Sequence, residues 1–346
     1  MFQVNLKPSN VSFDVKNDSQ TILEAALEKG FVVPYGCKDG VCGSCKATLV
    51  SGKVDYGSHS RTALSKNEIQ KKNILLCSAK PLSDLTIEAN LISTKESNTP
   101  KKLPCRVESI EKVSNDIAVV KLKLPSNKTF EFLPGQYIDI LLKDGKRRSY
   151  SMASIPNRDN LIELHIKHTP GGVFTDSLFE ANKESVSAVK VKDILRLEGP
   201  LGTFFLRENS EKDIIFLASG TGIAPIKAIV ESCIARSKYR NVVLYWGVRD
   251  PSDLYLDSLA TEWQKLMPQL TYIPVVSEKQ DTEHWKGRTG FVHQAVVKDF
   301  QSLKNMEVYA CGSPLMIKAA FDDFVNFLEL PKESFFSDAF LTAADK

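Results

Sequence analysis

Cys37, Cys42 and Cys45 stand in one short loop and Cys77 follows after 31 further residues, giving C-x4-C-x2-C with a distant fourth thiol. Four thiolates at this spacing can enclose a compact inorganic core, and the arrangement is that of a 2Fe–2S cluster. The loop Tyr35-Gly36-Cys37-Lys38-Asp39-Gly40-Val41-Cys42-Gly43-Ser44-Cys45 carries Gly36, Gly40 and Gly43. Glycine lets a chain curl around such a core with its amides aimed at sulfur. Four cysteines also make tetrahedral zinc sites, but zinc ribbons pair one C-x2-C with another. The lone Cys77 therefore favours iron–sulfur. Cys105 and Cys233 fit no ligand pattern and read as packing residues.

Two further constellations suit phosphates and flat rings. Arg147-Arg148-Ser149-Tyr150-Ser151-Met152-Ala153-Ser154 follows a strand pattern; His165-Ile166-Lys167 and then Gly171-Gly172-Val173-Phe174-Thr175 lie downstream. Gly220-Thr221-Gly222-Ile223-Ala224-Pro225 follows an apolar strand and opens a helix, where backbone N–H groups favour a phosphate and Pro225 suits the first turn. It is not the six-residue dinucleotide fingerprint, because Pro225 replaces a third glycine.

The pattern R-x-Y-S-x-x-S from Arg148 to Ser154, together with G-T-G-x-A-P, resembles the ferredoxin–NADP reductase superfamily. The resemblance implies that Arg148 meets the flavin pyrophosphate and that Tyr150 lies against the isoalloxazine, with Ser149 and Ser151 beside them. Both assignments are chemically apt, for a planar permanent cation and for an aromatic face with a hydroxyl tip. It implies that His165, Ile166, Lys167, Gly172, Val173 and Thr175 form the second flavin segment. There His165 can be a cofactor contact or a packed strand residue. It implies phosphate binding at Gly220, Thr221, Gly222 and Pro225, an adenosine-side contact at Arg249, and a nicotinamide-side cysteine at Cys311 followed by Gly312. Phe340 is the candidate for an aromatic that covers the flavin until nicotinamide displaces it. Glu278 stands where relatives preferring NADP carry Arg; Arg249 and Lys279 pull the other way, and NADH is favoured over NADPH.

The elements that must position these residues divide the chain of 346 residues into three. The first, 1–92, opens with alternating Phe2-Val4-Leu6 and Val11-Phe13-Val15, a hairpin pattern, then a capping box Thr21 to Glu24 and a helix closed by Gly30, with a last strand at Leu85–Ala89. It reads as an α+β ferredoxin domain of the plant type. A polar stretch within 93–103 is the expected linker. From 104 to 208, short alternating runs punctuated by Pro134-Gly135, Gly171-Gly172 and Gly199-Pro200 predict an antiparallel β-barrel for the flavin. From 209 to 346, apolar runs Ile214–Ala218, Val242–Trp246, Ile273–Val276 and Val308–Ala310 with helical patterns between them predict a doubly wound α/β nicotinamide-nucleotide domain.

Composition excludes other classes. Apolar residues are 42% and charged residues 25%, so the chain is globular rather than disordered or fibrous. The net charge is 45 − 42 = +3, with no basic stripe, which gives no reason to expect a nucleic-acid partner. No run approaches the length of a membrane span, and the start MFQVNLKPSN lacks a signal-peptide layout, so a cytoplasmic setting with reduced thiols is expected.

The three sites explain one another. A nicotinamide gives two electrons together and a 2Fe–2S cluster takes one, so FAD belongs between them, and the expected order is NADH to FAD to cluster to a protein electron acceptor. The order of domains is shared by reductase components of multicomponent oxygenases. A narrower resemblance, in Gly135–Asp139, Gly199–Phe205, Gly290–Val296 and Phe336–Phe340, is to the reductases that serve a pyridoxamine-phosphate-dependent CDP-sugar 3-dehydrase in dideoxysugar synthesis. That resemblance makes such a dehydrase the expected acceptor, with an oxygenase component, or free flavin or quinone, as the alternatives.

Overall fold

The computed structural model describes residues 1–16, 19–92, 100–128, 130–179, 188–238, 240–277 and 285–340. The described residues form two compact units, one within 1–92 and the other within 100–340. The expected barrel and nucleotide domains thus lie together in the second. Most of the expected linker, and the nucleotide-selecting Glu278 and Lys279, lie outside the described residues.

In the first unit β1 (Phe2–Lys7), β2 (Val11–Val15), α1 (Ile22–Glu28), β3 (Lys46–Ser51), β4 (Val54–Asp55), α2 (Lys66–Gln70), β5 (Asn73–Leu75), β6 (Lys80–Pro81) and β7 (Leu85–Glu88) follow in order. The sheet runs β2-β1-β7-β3-β5, with β1 and β7 parallel and the hairpin β1–β2 antiparallel. The predicted capping box is formed: the Glu24 amide donates to Thr21 Oγ1 at 3.2 Å and the Thr21 amide donates to Glu24 Oε2 at 2.9 Å. Alternation then works as periodicity demands. Val4, Leu6, Phe13 and Val15 turn inward onto Ile22, Leu23, Ala25 and Ala26 of α1.

The second unit begins with β8 (Lys101–Lys112), β9 (Ile117–Lys123), β10 (Tyr137–Leu141), β11 (Arg147–Ser151), β12 (Leu161–Lys167), α3 (Val173–Phe179) and β13 (Ile194–Leu201). These strands order as β11-β10-β13-β8-β9-β12, every pair antiparallel. A bridge between Met152, just past β11, and Leu164 of β12 joins the two edges and closes the predicted barrel.

There follow β14 (Asp213–Ser219), α4 (Ile223–Arg236), β15 (Val242–Val248), α5 (Asp257–Leu266), β16 (Leu270–Val276), β17 (Arg288–Thr289), α6 (Val292–Asp299), β18 (Met306–Gly312), α7 (Pro314–Phe327) and β19 (Phe335–Ala339). All their pairings are parallel, in the order β17-β16-β15-β14-β18-β19. Strand residues alternate between two cores: Ile214, Phe216 and Ala218 pack with α4 and α5, whereas Ile215 and Leu217 pack with α6 and α7. Burial on both faces is why these strands read as unbroken apolar runs. The chain leaves β14 in one direction through β15 and returns to its other side with β18, so the topological switch lies between β14 and β18. In such sheets the ligand crevice opens outside the carboxyl ends at that point. No helix among the described residues is long and apolar enough to cross a membrane.

Candidate functional site

The cluster loop is built by amides. Those of Asp39 and Cys42 donate to Cys37 Sγ, and that of Cys37 donates to Cys42 Sγ, each at 3.4 Å. The Gly40 amide reaches Cys77. Gly40 takes φ +74°, and a Cβ there would lie 2.6 Å from the Ser58 carbonyl, so the loop closes this tightly only with glycine. The sulfurs fall into two hydrogen-bonded pairs, Cys37 with Cys42 and Cys45 with Cys77. Within the first, the Cys42 thiol helps bring Cys37 down to about 6, while Cys42 itself is pushed up by Cys37 and by burial. In the second, Cys77 is lowered by Cys45, which rises in turn through Cys77 and burial. Two thiols per iron and inward-facing amides suit a 2Fe–2S cluster, which Cys37, Cys42, Cys45 and Cys77 would hold; metal binding then displaces the remaining protons. Cys105 and Cys233 are buried apart from the loop, as packing residues would be.

On β11 the arginine doublet splits by strand alternation. Arg147 is structural: it pairs with Glu198 at 2.7 Å and with the buried Asp139 at 3.4 Å. Among the described residues Arg148 makes no ion pair and donates to the Arg147 carbonyl at 2.8 Å, leaving its charge for an anion. Tyr150, on the Arg148 face, lies 5.7 Å from the Phe174 ring, and burial pushes its phenol up so that it stays protonated. Arg148 and Tyr150 thus present a cation and a ring in the order that a flavin nucleotide needs.

Three of the expected contact side chains have partners within the protein. Ser149 Oγ donates to Asp139 at 2.7 Å. Thr175 Oγ1 donates to the Thr169 carbonyl at 2.8 Å, which braces the Gly171-Gly172 turn rather than reaching outward. His165 is buried with Nε2 at 3.0 Å from Glu163 and Nδ1 at 2.9 Å from the Tyr255 hydroxyl. With both nitrogens occupied, its imidazole is a strut between barrel and nucleotide elements, which leaves the backbone of His165 as the part that a cofactor could meet. Ile166 is wholly buried, Val173 is exposed at the head of α3, and Lys167 pairs with Asp116 at 3.1 Å.

The switch point carries the nucleotide turn. Gly220, Thr221 and Gly222 form a 3-10 turn into α4, whose start has no side-chain cap, so its amides suit a phosphate. Pro225 is buried in the first turn of α4. Trp246 Nε1 donates to the Gly220 carbonyl at 2.9 Å and fixes the turn against β15. Across the switch, a Cβ on Gly222 would fall 2.1 Å from the Cys311 carbonyl, and Gly312, at φ +128°, faces Ser219 with no room for a side chain. Arg249 is exposed at the end of β15.

Cys311 is wholly buried, and burial together with the Asp338 carboxylate pushes its thiol well up, so it is an inert neutral group. Asp338 sits opposite it in the β18–β19 register and accepts a hydrogen bond from Ser151 Oγ at 3.1 Å. The Phe340 amide donates to the Gly312 carbonyl at 2.8 Å, and that half-buried residue packs against the core that contains Cys311. The flavin motif, the nicotinamide-side strand and the carboxyl-terminal strand therefore converge. Sequence reasoning missed Asp338, although its segment was singled out, and missed Lys227, Glu163 and Tyr255.

Three family models match in chain order: the 2Fe-2S iron-sulfur cluster binding domain over residues 4–82, the oxidoreductase FAD-binding domain over 104–206 and the oxidoreductase NAD-binding domain over 216–322. They define an iron–sulfur flavoprotein reductase, an NAD(P)H-dependent oxidoreductase with FAD and a 2Fe–2S cluster that passes electrons to a protein acceptor. The chain is 44% identical over 338 residues, 98% of each chain, to the CDP-6-deoxy-L-threo-D-glycero-4-hexulose-3-dehydrase reductase of Yersinia pseudotuberculosis. It is 32% identical to reductase component 2 of the terephthalate 1,2-dioxygenase of a Comamonas species, over 98% of this chain and 97% of that one. Among solved structures, the Amycolatopsis cytochrome P450 reductase GcoB superposes with a TM-score of 0.78 at 30% identity, covering 99% of this chain and 100% of that one. The chain belongs to the family of the CDP-6-deoxy-L-threo-D-glycero-4-hexulose-3-dehydrase reductases.

Proposed function

We propose that this protein takes electrons from NADH and delivers them, through FAD and then the cluster, to a pyridoxamine-phosphate-dependent CDP-sugar 3-dehydrase in the cytoplasm. The observation that carries the acceptor is the identity along the whole chain, 44% to a dehydrase reductase against 32% to a dioxygenase component. The preference for NADH rests on the sequence alone, on an acidic Glu278 where relatives preferring NADP carry Arg. When bound, FAD takes up a hydride and releases its electrons singly. The chain's own residues supply alignment: Arg148 for the pyrophosphate, Tyr150 for the ring, the Gly220–Gly222 turn for the nucleotide phosphates, and a closed corner at Ser151, Asp338 and Cys311. No group there needs to act as a base, since hydride passes directly between rings.

The reading is tested by anaerobic titration with NADH and with NADPH, followed by reconstitution. NADH should bleach the flavin and reduce the cluster, and the reduced protein should restore turnover to a CDP-sugar 3-dehydrase. Turnover restored only to an oxygenase component would favour a second reading, which the terephthalate dioxygenase relative supports.

A further inference from the structure

Lys227 lies on α4, five residues beyond Gly222, and is 9% exposed among the apolar residues that helix buries. A buried ammonium is tolerated only when its protons find acceptors. Lys227 Nζ has three: the Ala153 carbonyl at 3.1 Å, Glu163 Oε1 at 3.1 Å and Glu231 Oε2 at 3.0 Å. Two of the three belong to the barrel, so this lysine is satisfied in one arrangement of the barrel against α4.

The contacts form a closed set. Glu163 Oε1 also meets His165 Nε2 at 3.0 Å, and His165 Nδ1 meets the Tyr255 hydroxyl, at 2.9 Å, from the nucleotide side. Ala153 is two residues past Ser151, whose hydroxyl is tied to Asp338 at 3.1 Å. The segment carrying the flavin motif is thus pinned twice to the nucleotide elements, by Asp338 of β19 at Ser151 and by Lys227 of α4 at Ala153. Stability alone gives no reason for such a cation, because apolar groups of similar volume commonly serve a core as well or better. Orientation does.

We propose that Lys227, through Glu163 and the Ala153 carbonyl, is a positioning residue for hydride transfer, holding the nucleotide turn in register with the flavin strand. This rests on the NADH-to-FAD reading above. The Ala153 contact crosses from the helix that follows the Gly220–Gly222 turn to the strand end beyond Tyr150, and the Glu163 contact crosses to β12, so a shift here displaces donor ring and acceptor ring relative to each other. Loss of about 1 Å of alignment costs on the order of 100-fold in rate.

The test uses the full chain with both cofactors bound and compares wild type, Lys227→Met, Glu163→Gln and the double variant by anaerobic stopped-flow reduction with NADH. Expected for each variant are unchanged FAD content, an apparent NADH dissociation constant within about threefold, and a limiting flavin-reduction rate lower by about tenfold or more. The double variant should be no slower than the worse single one, because both remove one contact. A limiting rate within twofold of wild type in the variants, with only the melting temperature changed, would overturn the proposal. If Lys227→Met does not fold, Glu163→Gln decides alone, since it keeps volume and one acceptor. A wild-type flavin that NADH fails to bleach would instead defeat the underlying electron path.

Discussion

Replacing Gly222 by alanine tests the switch-point geometry directly. Its backbone is helical, φ −59° and ψ −14°, so alanine meets no conformational penalty and would by itself stabilise by about 0.4–1 kcal/mol. The obstacle is contact. The new Cβ would stand 2.1 Å from the Cys311 carbonyl oxygen, 2.5 Å from its carbon and 2.9 Å from the Gly312 amide, all backbone atoms without a rotamer to change. Ordinary contact begins at 3.4 Å, so the turn and β18 must separate by about 3.4 − 2.1 = 1.3 Å. Overpacking of this kind costs about 1–3 kcal/mol, which outweighs the helical gain and lowers Tm by about 2–8 °C. Because the separation falls between the phosphate-binding turn and the nicotinamide-side strand, NADH-driven flavin bleaching in anaerobic stopped flow should slow by about 10- to 100-fold. Gly145→Ala is the control: φ is +81° and nothing lies within 4 Å, so it costs stability of about 1–2 kcal/mol through strain and leaves bleaching unchanged. Wild-type bleaching and an unchanged Tm in Gly222→Ala would mean that the two strand ends do not press together as described.

Other outcomes follow from the same contacts. Cys42→Ser should abolish the low-temperature paramagnetic signal of the reduced cluster and cut NADH-driven cytochrome c reduction more than about tenfold, while NADH still bleaches the flavin. Arg148→Glu should weaken FAD retention on gel filtration by about 10- to 100-fold, the loss of a charge-assisted phosphate contact, whereas Arg147→Ala should lower Tm without that loss. Burial works to raise Glu163, but His165 and Lys227 bring it down to about 2 from an ordinary 4.5. Its folded value being the lower, it stabilises fully above about pH 4.5, and roughly 2–3 kcal/mol is lost as pH falls from there toward 2. Thermal melts across that window should show a shallower acid limb in Glu163→Gln; an identical limb would remove Glu163 from the account.

Local patterns were legible where one element carried the whole signal. The capping box at Thr21, the alternation of β1 and β2, and the two-sided apolar runs of the parallel sheet could be read because periodicity and capping act over a few residues. The cysteines expected to hold the cluster stood out for the same reason, three of four falling in one loop. Side-chain destinations were not. Ser149, Thr175 and His165 sit in motifs that suggest a cofactor, yet their partners, Asp139, Thr169 and the pair Glu163 and Tyr255, are chosen by tertiary packing. Tyr255 is 90 residues from His165 and Asp338 is 187 from Ser151, separations at which no local pattern operates. Lys227 did leave a trace. A single cation inside Ile223-Ala224-Pro225-Ile226-Lys227-Ala228-Ile229-Val230 is where a buried, paired charge is to be sought.

The protonation states at the convergence point fit a reaction that needs alignment rather than acid–base chemistry. Burial and the neighbouring Asp338 keep the Cys311 thiol neutral, so it offers no nucleophile at this corner. Tyr150 is held neutral by burial, and its ring lies tilted at 43° against Phe174. The strong charge pairs lie one layer out, at Arg147 with Glu198 and Asp139 and at Lys227 with Glu163 and Glu231. There they fix strands and helix without setting a charge against the reacting rings. A second charge introduced beside Asp338, at Ser151 or Cys311, should therefore slow hydride transfer more than the loss of any one outer pair, because on the proposed function this corner faces the rings and the outer residues act only through position.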